Sequence, residues 1–283
     1  MGLYDRDYTR EDYQYRHAPQ MRMAFPRITP AVKWLLIINV AVFLPSFLII
    51  RLGQVIFYWF SVYPATPAMS LQLWRPITYQ FLHGSIGHIF INMLVLFFFG
   101  PVIERLWGSR KFLTFYLVCG AMGGLFYPLL VILRWLSVAP LVGASGSILG
   151  ILAAAAILFP NMRVYVLGIF PVKITILALV LAAISIISVL QPYRFGNAGG
   201  QAAHLAGMAA GAFYVLYQSW HAKLKSKIRA GTWEKKMAEQ HNLQIEVDRI
   251  LQKVHKSGIH NLTSKEKKIL KKATQAEQMQ NKL

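Results

Sequence analysis

Six apolar runs, each long enough to cross a lipid bilayer, constrain this chain more than any other feature of its sequence. They occupy roughly 34–50, 86–103, 112–133, 142–159, 174–190 and 202–220, and runs of about 18 apolar residues read as membrane spans. Hydrocarbon cannot satisfy backbone N–H and C=O groups, so each run is expected as a helix that bonds its own main chain. A composition that is 55% hydrophobic, with a mean hydropathy of +0.43, is too apolar for an ordinary soluble domain. The expected fold is an all-α polytopic membrane protein whose core is a bundle of six transmembrane helices.

The charge, +19 at pH 7, is distributed as such a topology requires. Between Trp34 and Trp220 the single acidic residue is Glu104, while Lys and Arg flank the spans and fill the tail after Trp220. Arg6, Arg10, Arg16, Arg22, Arg27 and Lys33 precede the first span. Arg105, Arg110 and Lys111 follow the second, and Arg163 and Lys173 follow the fourth. The opposite side carries only Arg51, Arg75, Arg134 and Arg194. The excess of positive charge places both termini in the cytoplasm, and the basic tail suits attraction to anionic lipid rather than to nucleic acid. Residues 1–33 are polar and aromatic, and the run after them lacks a small-residue cleavage site, so no cleavable signal peptide is expected. A bacterial inner membrane is the expected location. Cys119 is the only cysteine, which excludes an intrachain disulfide and a cysteine metal cluster.

In this orientation spans two, four and six all start at the outer face. His83, His88 and Asn92 lie at the start of span two, Ser145 in the first turn of span four, and His204 near the start of span six. At about 1.5 Å per residue, all of them fall in the outer half of a ~30 Å hydrocarbon core. Polar and ionisable groups at such depth are functional candidates. Gly146 and Gly150 on span four, and Gly200, Gly207 and Gly211 on the His204 face of span six, allow backbone-to-backbone packing. That packing would bring Ser145 towards His204.

The chemistry narrows by elimination. An aspartyl site needs two membrane-embedded aspartates, and the core has none. A zinc site of the His-Glu-x-x-His type needs a glutamate that His83 and His88, five apart, do not enclose. No metal and no cofactor is expected. A serine site can be assembled. Ser145 would be the nucleophile at a helix start, where orphan N–H groups favour developing negative charge. Gly143 and Gly146 beside it leave room for a substrate backbone, and His204 would be the general base. With no carboxylate available this is a dyad, and packing is expected to orient the imidazole. His88 and Asn92, at i and i+4, share one face of span two. Alone, Asn92 reads as polar glue between helices; beside Ser145 and His204, the pair reads as oxyanion donors. His83 is expected to cap or brace span two by hydrogen bonding.

These residues, in this order, resemble the rhomboid family of intramembrane serine proteases. The resemblance rests on Trp74-Arg75, on His83-Gly-Ser-Ile-Gly-His88-Ile-Phe-Ile-Asn92, on Glu104, on Gly143-Ala144-Ser145-Gly146, and on Ala203-His204-Leu-Ala-Gly207-Met-Ala-Ala-Gly211. It covers residues 34–220. It implies a six-helix bundle that water enters from the outer face, and cleavage of transmembrane protein substrates near their outer ends. It also implies Ser145 as nucleophile, His204 as base, and His88 and Asn92 at the oxyanion. One position departs from the family. Many bacterial members carry an aromatic residue four positions after the serine, packed on the histidine, where this chain has Leu149.

The remaining chain divides into a largely disordered cytoplasmic lead (1–33), a basic linker (221–243) and a small cytoplasmic helical hairpin (244–283). In the hairpin Ser257-Gly258 would end one helix, and Thr263 with Glu266 would form the capping box of the next. Trp74-Arg75 suits an interfacial anchor. Glu104 is expected either to pair with Arg105, Arg110 or Lys111 or to hold backbone N–H groups. The expected function is an intramembrane serine endopeptidase. Its rivals are a non-catalytic protein that binds client transmembrane helices, and a channel or transporter. The lack of internal repeats and core carboxylates disfavours the last.

Overall fold

The computed structural model describes residues 26–66, 71–166, 169–194, 196–258 and 262–280. Residues 1–25 of the expected N-terminal lead lie outside the described residues. The chain divides into two compact units, one up to Val215 and one from Leu216 onward.

The first unit opens with α1 (Pro30–Leu48), where extended Thr29 and a proline at the first helical position start the helix ahead of Trp34. Its first N–H groups are capped from a distant segment. Glu104 Oε1 accepts from Ala31 N and Oε2 from Val32 N, both at 2.9 Å. The same carboxylate accepts from Thr29 Oγ1 and, at 2.6 Å, from Ser109 Oγ. Of the two roles expected for Glu104, backbone N–H capture is the one observed.

After a break at Ile49 the chain re-enters helix as α2 (Ile50–Phe60), an amphipathic segment between the first and second apolar runs. Arg75 then corrects the reading of an interfacial anchor. It is 2% exposed, its Nη1 donating to Ser61 O at 2.5 Å and its Nε to Gln72 Oε1. The guanidinium satisfies a carbonyl left free at the end of α2, so it clamps the loop from inside. A short helix, α3 (Arg75–Thr78), leads into a 3₁₀ turn at Tyr79–Phe81.

Helices α4 (Ile86–Trp107) and α5 (Ser109–Ile132) are joined through Gly108, whose φ of +78° suits glycine. Helix α6 (Ser145–Leu158) is followed by an antiparallel pair, β1 (Arg163–Val166) and β2 (Phe170–Lys173), in which Arg163 faces Lys173. This hairpin departs from the all-α expectation. Alternating Val and Tyr, with Pro171 opposite, favours extended over helical backbone. Helices α7 (Ile174–Leu190) and α8 (Ala198–Ser257) follow.

Helix α6 lies at the centre. Ile148, Ile151, Leu152 and the run Ala153 to Ala156 are all buried, within an apolar cluster that includes Leu96, Ile103, Phe112, Phe115 and Met208. The outer helices do the reverse of a soluble fold and present large apolar side chains outward, Phe90 on α4, Leu125 on α5 and Leu179 on α7 among them. Helices α1, α4 and α5 are each long and apolar enough to cross a membrane, and α6 and α7 are shorter apolar helices of 14 and 17 residues. The protein is a helical membrane protein.

In the second unit, α8 stays helical through the expected linker 221–243, which is rich in Lys and Ala and contains no proline. It stops at Gly258, whose φ is +81° and whose N–H donates to Val254 O at 2.9 Å. At the start of α9 (Ser264–Gln280), Thr263 N donates to Glu266 Oε2 at 2.8 Å, and Glu266 N donates to Thr263 Oγ1 at 3.3 Å. Lys253 and Glu266 form an ion pair at 3.0 Å between the two helices.

Candidate active site

Paired glycines set the site. A Cβ placed on Gly207 of α8 would lie 2.1 Å from Gly146 O of α6, and one on Gly211 would lie 2.3 Å from Gly150 O. The two helices therefore cross with main chain against main chain. No side chain larger than hydrogen fits at either contact.

At this crossing Ser145, the first residue of α6, meets His204. Ser145 Oγ and His204 Nε2 are 2.7 Å apart, a hydrogen bond between residues 59 positions apart in sequence. Both side chains are half-buried. Because Ser145 opens the helix, the first N–H groups of α6 lack intrahelical acceptors and point towards its hydroxyl end.

Gly143 bends the chain into this helix with φ +123° and donates its N–H to Tyr79 O at 2.9 Å. A Cβ there would lie 2.7 Å from His88 Cε1 and Nε2 and 3.7 Å from Ser145 Oγ. The His88 imidazole thus stands over the main chain just before the serine. Asn92, one turn further along α4, is 5% exposed, and its Nδ2 has no hydrogen-bond partner. That amide N–H₂ is therefore free of protein acceptors and able to donate.

His83 does not cap α4. That role belongs to Ser85, whose Oγ accepts from His88 N at 3.2 Å. The His83 ring is buried and meets His88 edge-on with centroids 5.0 Å apart. The His83 ring thus packs against that of His88. Leu149 is half-buried in the main apolar cluster. Among the described residues no group of three or more His, Cys, Asp or Glu side chains is placed to hold a metal ion.

Two polar residues not anticipated from sequence complete the neighbourhood of the imidazole. Gln201 Oε1 lies 3.1 Å from His204 Nδ1, and Ser185 Oγ of α7 donates to that same Oε1 at 2.6 Å. A hydrogen bond to the second ring nitrogen corrects the expectation that packing alone would orient His204. The signal was available in the spacing, since Gln201 is at i−3 from His204 and shares its helix face.

Behind Ser145 lies a second buried polar set. Ser147 Oγ donates to Gln80 Oε1 at 2.8 Å, while Gln80 Nε2 donates to Pro76 O at 2.8 Å and Leu117 O at 3.2 Å. Tyr79 OH donates to Gly120 O at 2.6 Å. These bonds fix the 3₁₀ turn, α5 and the start of α6 against one another.

A bundle of apolar helices closed around a hydrogen-bonded serine and histidine defines an integral membrane protein. Residues 70–221, just over half of the chain, match the Rhomboid domain. The chain belongs to the rhomboid family. Residues 234–276 match DUF6576, a family of unknown function. The chain is 31% identical over 159 residues to "Rhomboid protein 1, mitochondrial" of Saccharomyces cerevisiae, covering 54% of this chain and 45% of that protein. It is 30% identical over 153 residues to "Rhomboid-like protease 3" of Toxoplasma gondii, covering 53% and 54%. With "Rhomboid protease GlpG" of Haemophilus influenzae it shares 31% over 158 residues, covering 56% of this chain and 76% of that protein. The chain thus spans about half the length of the first two relatives and three quarters of the third.

Proposed function

We propose that this protein is an intramembrane serine endopeptidase that hydrolyses peptide bonds in or near the transmembrane segments of membrane-protein substrates. The observation that carries the reading is the 2.7 Å hydrogen bond between Ser145 Oγ and His204 Nε2 at the start of a buried helix. Relatives whose names include "protease" support the reaction class.

In the proposed cycle His204 Nε2 takes the proton from Ser145 Oγ as that oxygen attacks the scissile carbonyl carbon. The resulting oxyanion is received by the Ser145 N–H, the His88 imidazole and the open Nδ2 of Asn92. The imidazolium returns its proton to the leaving amine and the C–N bond breaks. Water, deprotonated by the same imidazole, then hydrolyses the acyl-serine ester and regenerates Ser145.

In our reading the six apolar segments α1, α4, α5, α6, α7 and the first part of α8 cross the membrane, with both termini on the positive-inside face. The tail forms a cytoplasmic helical hairpin. With 14 residues, α6 spans only ~21 Å against a hydrocarbon core of ~30 Å. With its C-terminal end at the cytoplasmic boundary, Ser145 sits ~9 Å below the opposite one. Substrate bonds near the outer end of a helix reach that depth. The named relatives include a mitochondrial protein as well as a bacterial one, which does not support the expected bacterial inner membrane.

The test is cleavage of a labelled transmembrane substrate by the full chain in lipid vesicles. Wild type is expected to cleave, and Ser145→Ala and His204→Ala are each expected to abolish product. Cleavage surviving either change would remove the dyad. Wild type that binds but never cuts a broad substrate panel would favour a non-catalytic rhomboid-like protein that holds client helices.

A further inference from the structure

We infer that Gln201 and Ser185 form a positioning relay that fixes the tautomer and orientation of His204, so that α7 takes part in setting the base. The inference rests on the serine-protease reading above and adds to it what holds the imidazole.

A general base that takes a proton on Nε2 must present a lone pair there, which in the neutral ring places the proton on Nδ1. Gln201 Oε1, 3.1 Å from Nδ1, accepts that N–H. In the opposite tautomer the bare Nδ1 would face the amide oxygen lone pair against lone pair, and Nε2–H would point at Ser145. The amide oxygen therefore selects the competent tautomer.

An amide selects a tautomer only if its own orientation is fixed, because the flipped group would present an NH₂ and select the other form. Ser185 supplies that constraint. Ser185 is 1% exposed, and its hydroxyl donates to Gln201 Oε1 at 2.6 Å from α7, which favours the oxygen end towards the imidazole. The backbone at Gln201 is fixed as well. Asn197 Oδ1 accepts from Gly200 N at 3.2 Å, and Asn197 O accepts from Gln201 N at 3.1 Å.

The relay does its work along the reaction path. As Nε2 takes the Ser145 proton, positive charge spreads over the ring and the Nδ1–H···O bond strengthens, since hydrogen bonds to charged groups exceed neutral ones. Gln201 touches neither substrate nor the reacting atoms, so it is a positioning residue. It meets the need that an aromatic neighbour at Leu149 would otherwise serve.

The experiment uses the full chain in lipid vesicles, with a fluorogenic transmembrane substrate and, separately, a fluorophosphonate that labels reactive serines. Gln201→Met keeps the length of the side chain and removes the acceptor. It is expected to lower kcat about 10- to 100-fold with KM within about twofold. Gln201→Glu restores an acceptor and should recover most of that loss. Its carboxylate favours the imidazolium, so the ring stays protonated to higher pH and the acid limb of the kcat profile moves upward by about one pH unit. Ser185→Ala is expected to lower kcat about 2- to 10-fold. His88, facing His204 from α4, is the other titratable ring near the base, and it is retained in all variants. Labelling of wild-type Ser145 combined with wild-type kcat and pH profile in the Gln201 variants overturns the relay alone. Absence of labelling and cleavage in wild type overturns the serine reading and the relay with it. Were Gln201→Met not to fold, an unshifted profile in Gln201→Glu would still overturn the relay.

Discussion

Replacing Gly207 with alanine tests whether backbone contact sets the catalytic distance. The added Cβ would stand 2.1 Å from Gly146 O, 2.7 Å from Gly146 C and 3.0 Å from its Cα. Ordinary contact begins near 3.4 Å, so α6 and α8 must separate locally by about 1.3 Å. None of these three atoms can swing aside, because all belong to main chain. Ser145 and His204 ride on the two helices and are 2.7 Å apart; a shift of that size carries them beyond hydrogen-bond reach. A misplacement of about 1 Å lowers rates by about 10²-fold, whereas overpacking costs about 1–3 kcal/mol of stability. The expected variant is therefore folded, slightly less stable and at least about 100-fold slower in kcat. Cleavage of a transmembrane substrate in vesicles, set beside thermal unfolding of the same preparations, separates the two effects. Gly84→Ala is the control, since a Cβ there meets nothing within 4 Å. If Gly207→Ala cleaves at the wild-type rate, the helix crossing does not set the dyad and the reasoning fails.

Three further outcomes follow from other parts of the molecule. Asn92→Ala removes the open Nδ2 donor and should lower kcat about 10²- to 10³-fold with little change in KM; steady-state kinetics that show only a KM effect would place Asn92 in substrate binding. Glu104→Ala deprives Ala31 N, Val32 N and Ser109 Oγ of their acceptor. It should cost about 2–4 kcal/mol in detergent unfolding, and an unchanged midpoint would show that the carboxylate is dispensable. Glu266 is held down to about 2 by the Thr263 N–H first, with Lys253 and the Thr263 hydroxyl adding to it. A depressed carboxyl contributes stability above its ordinary value near 4.5 and loses it as pH falls towards about 2. Protection factors of the α9 amides, which correct for the intrinsic slowing of exchange in acid, should therefore fall across that window in wild type and not in Glu266→Gln.

Ser145 and His204 could be picked out from sequence because hydrocarbon makes every polar residue conspicuous. The glycines at 146, 150, 207 and 211 could be read as contacts because backbone approach needs them. Glu104 was visible as the sole acid of the core, but only the fold showed which of two roles it fills. What stayed hidden was less exceptional chemistry. Gln201 is one amide in the first turns of a helix, and nothing local says that its oxygen, not its nitrogen, meets the imidazole. Ser185 is a small hydroxyl in an apolar run, and its acceptor lies on another helix. Helix α2 and the β1–β2 hairpin escaped for a different reason. Their residues are short apolar stretches between spans, where hydropathy alone does not separate helix, strand and loop. Arg75 read as a surface anchor because burial of a guanidinium depends on a distant carbonyl, Ser61 O, that no local pattern announces.

The glycine crossing also bears on how the protein could vary over time. Side chains relax, swap rotamers and drift from sequence to sequence, but a separation fixed by two carbonyls against two α-carbons has no such play. The outer surfaces of α4, α5 and α7 can be rewritten to suit other lipids or other clients without resetting the gap between hydroxyl and imidazole. Tolerance is thus divided unevenly. The periphery is free to diversify, and a single methyl group at Gly207 is expected to slow the proposed reaction at least about 100-fold.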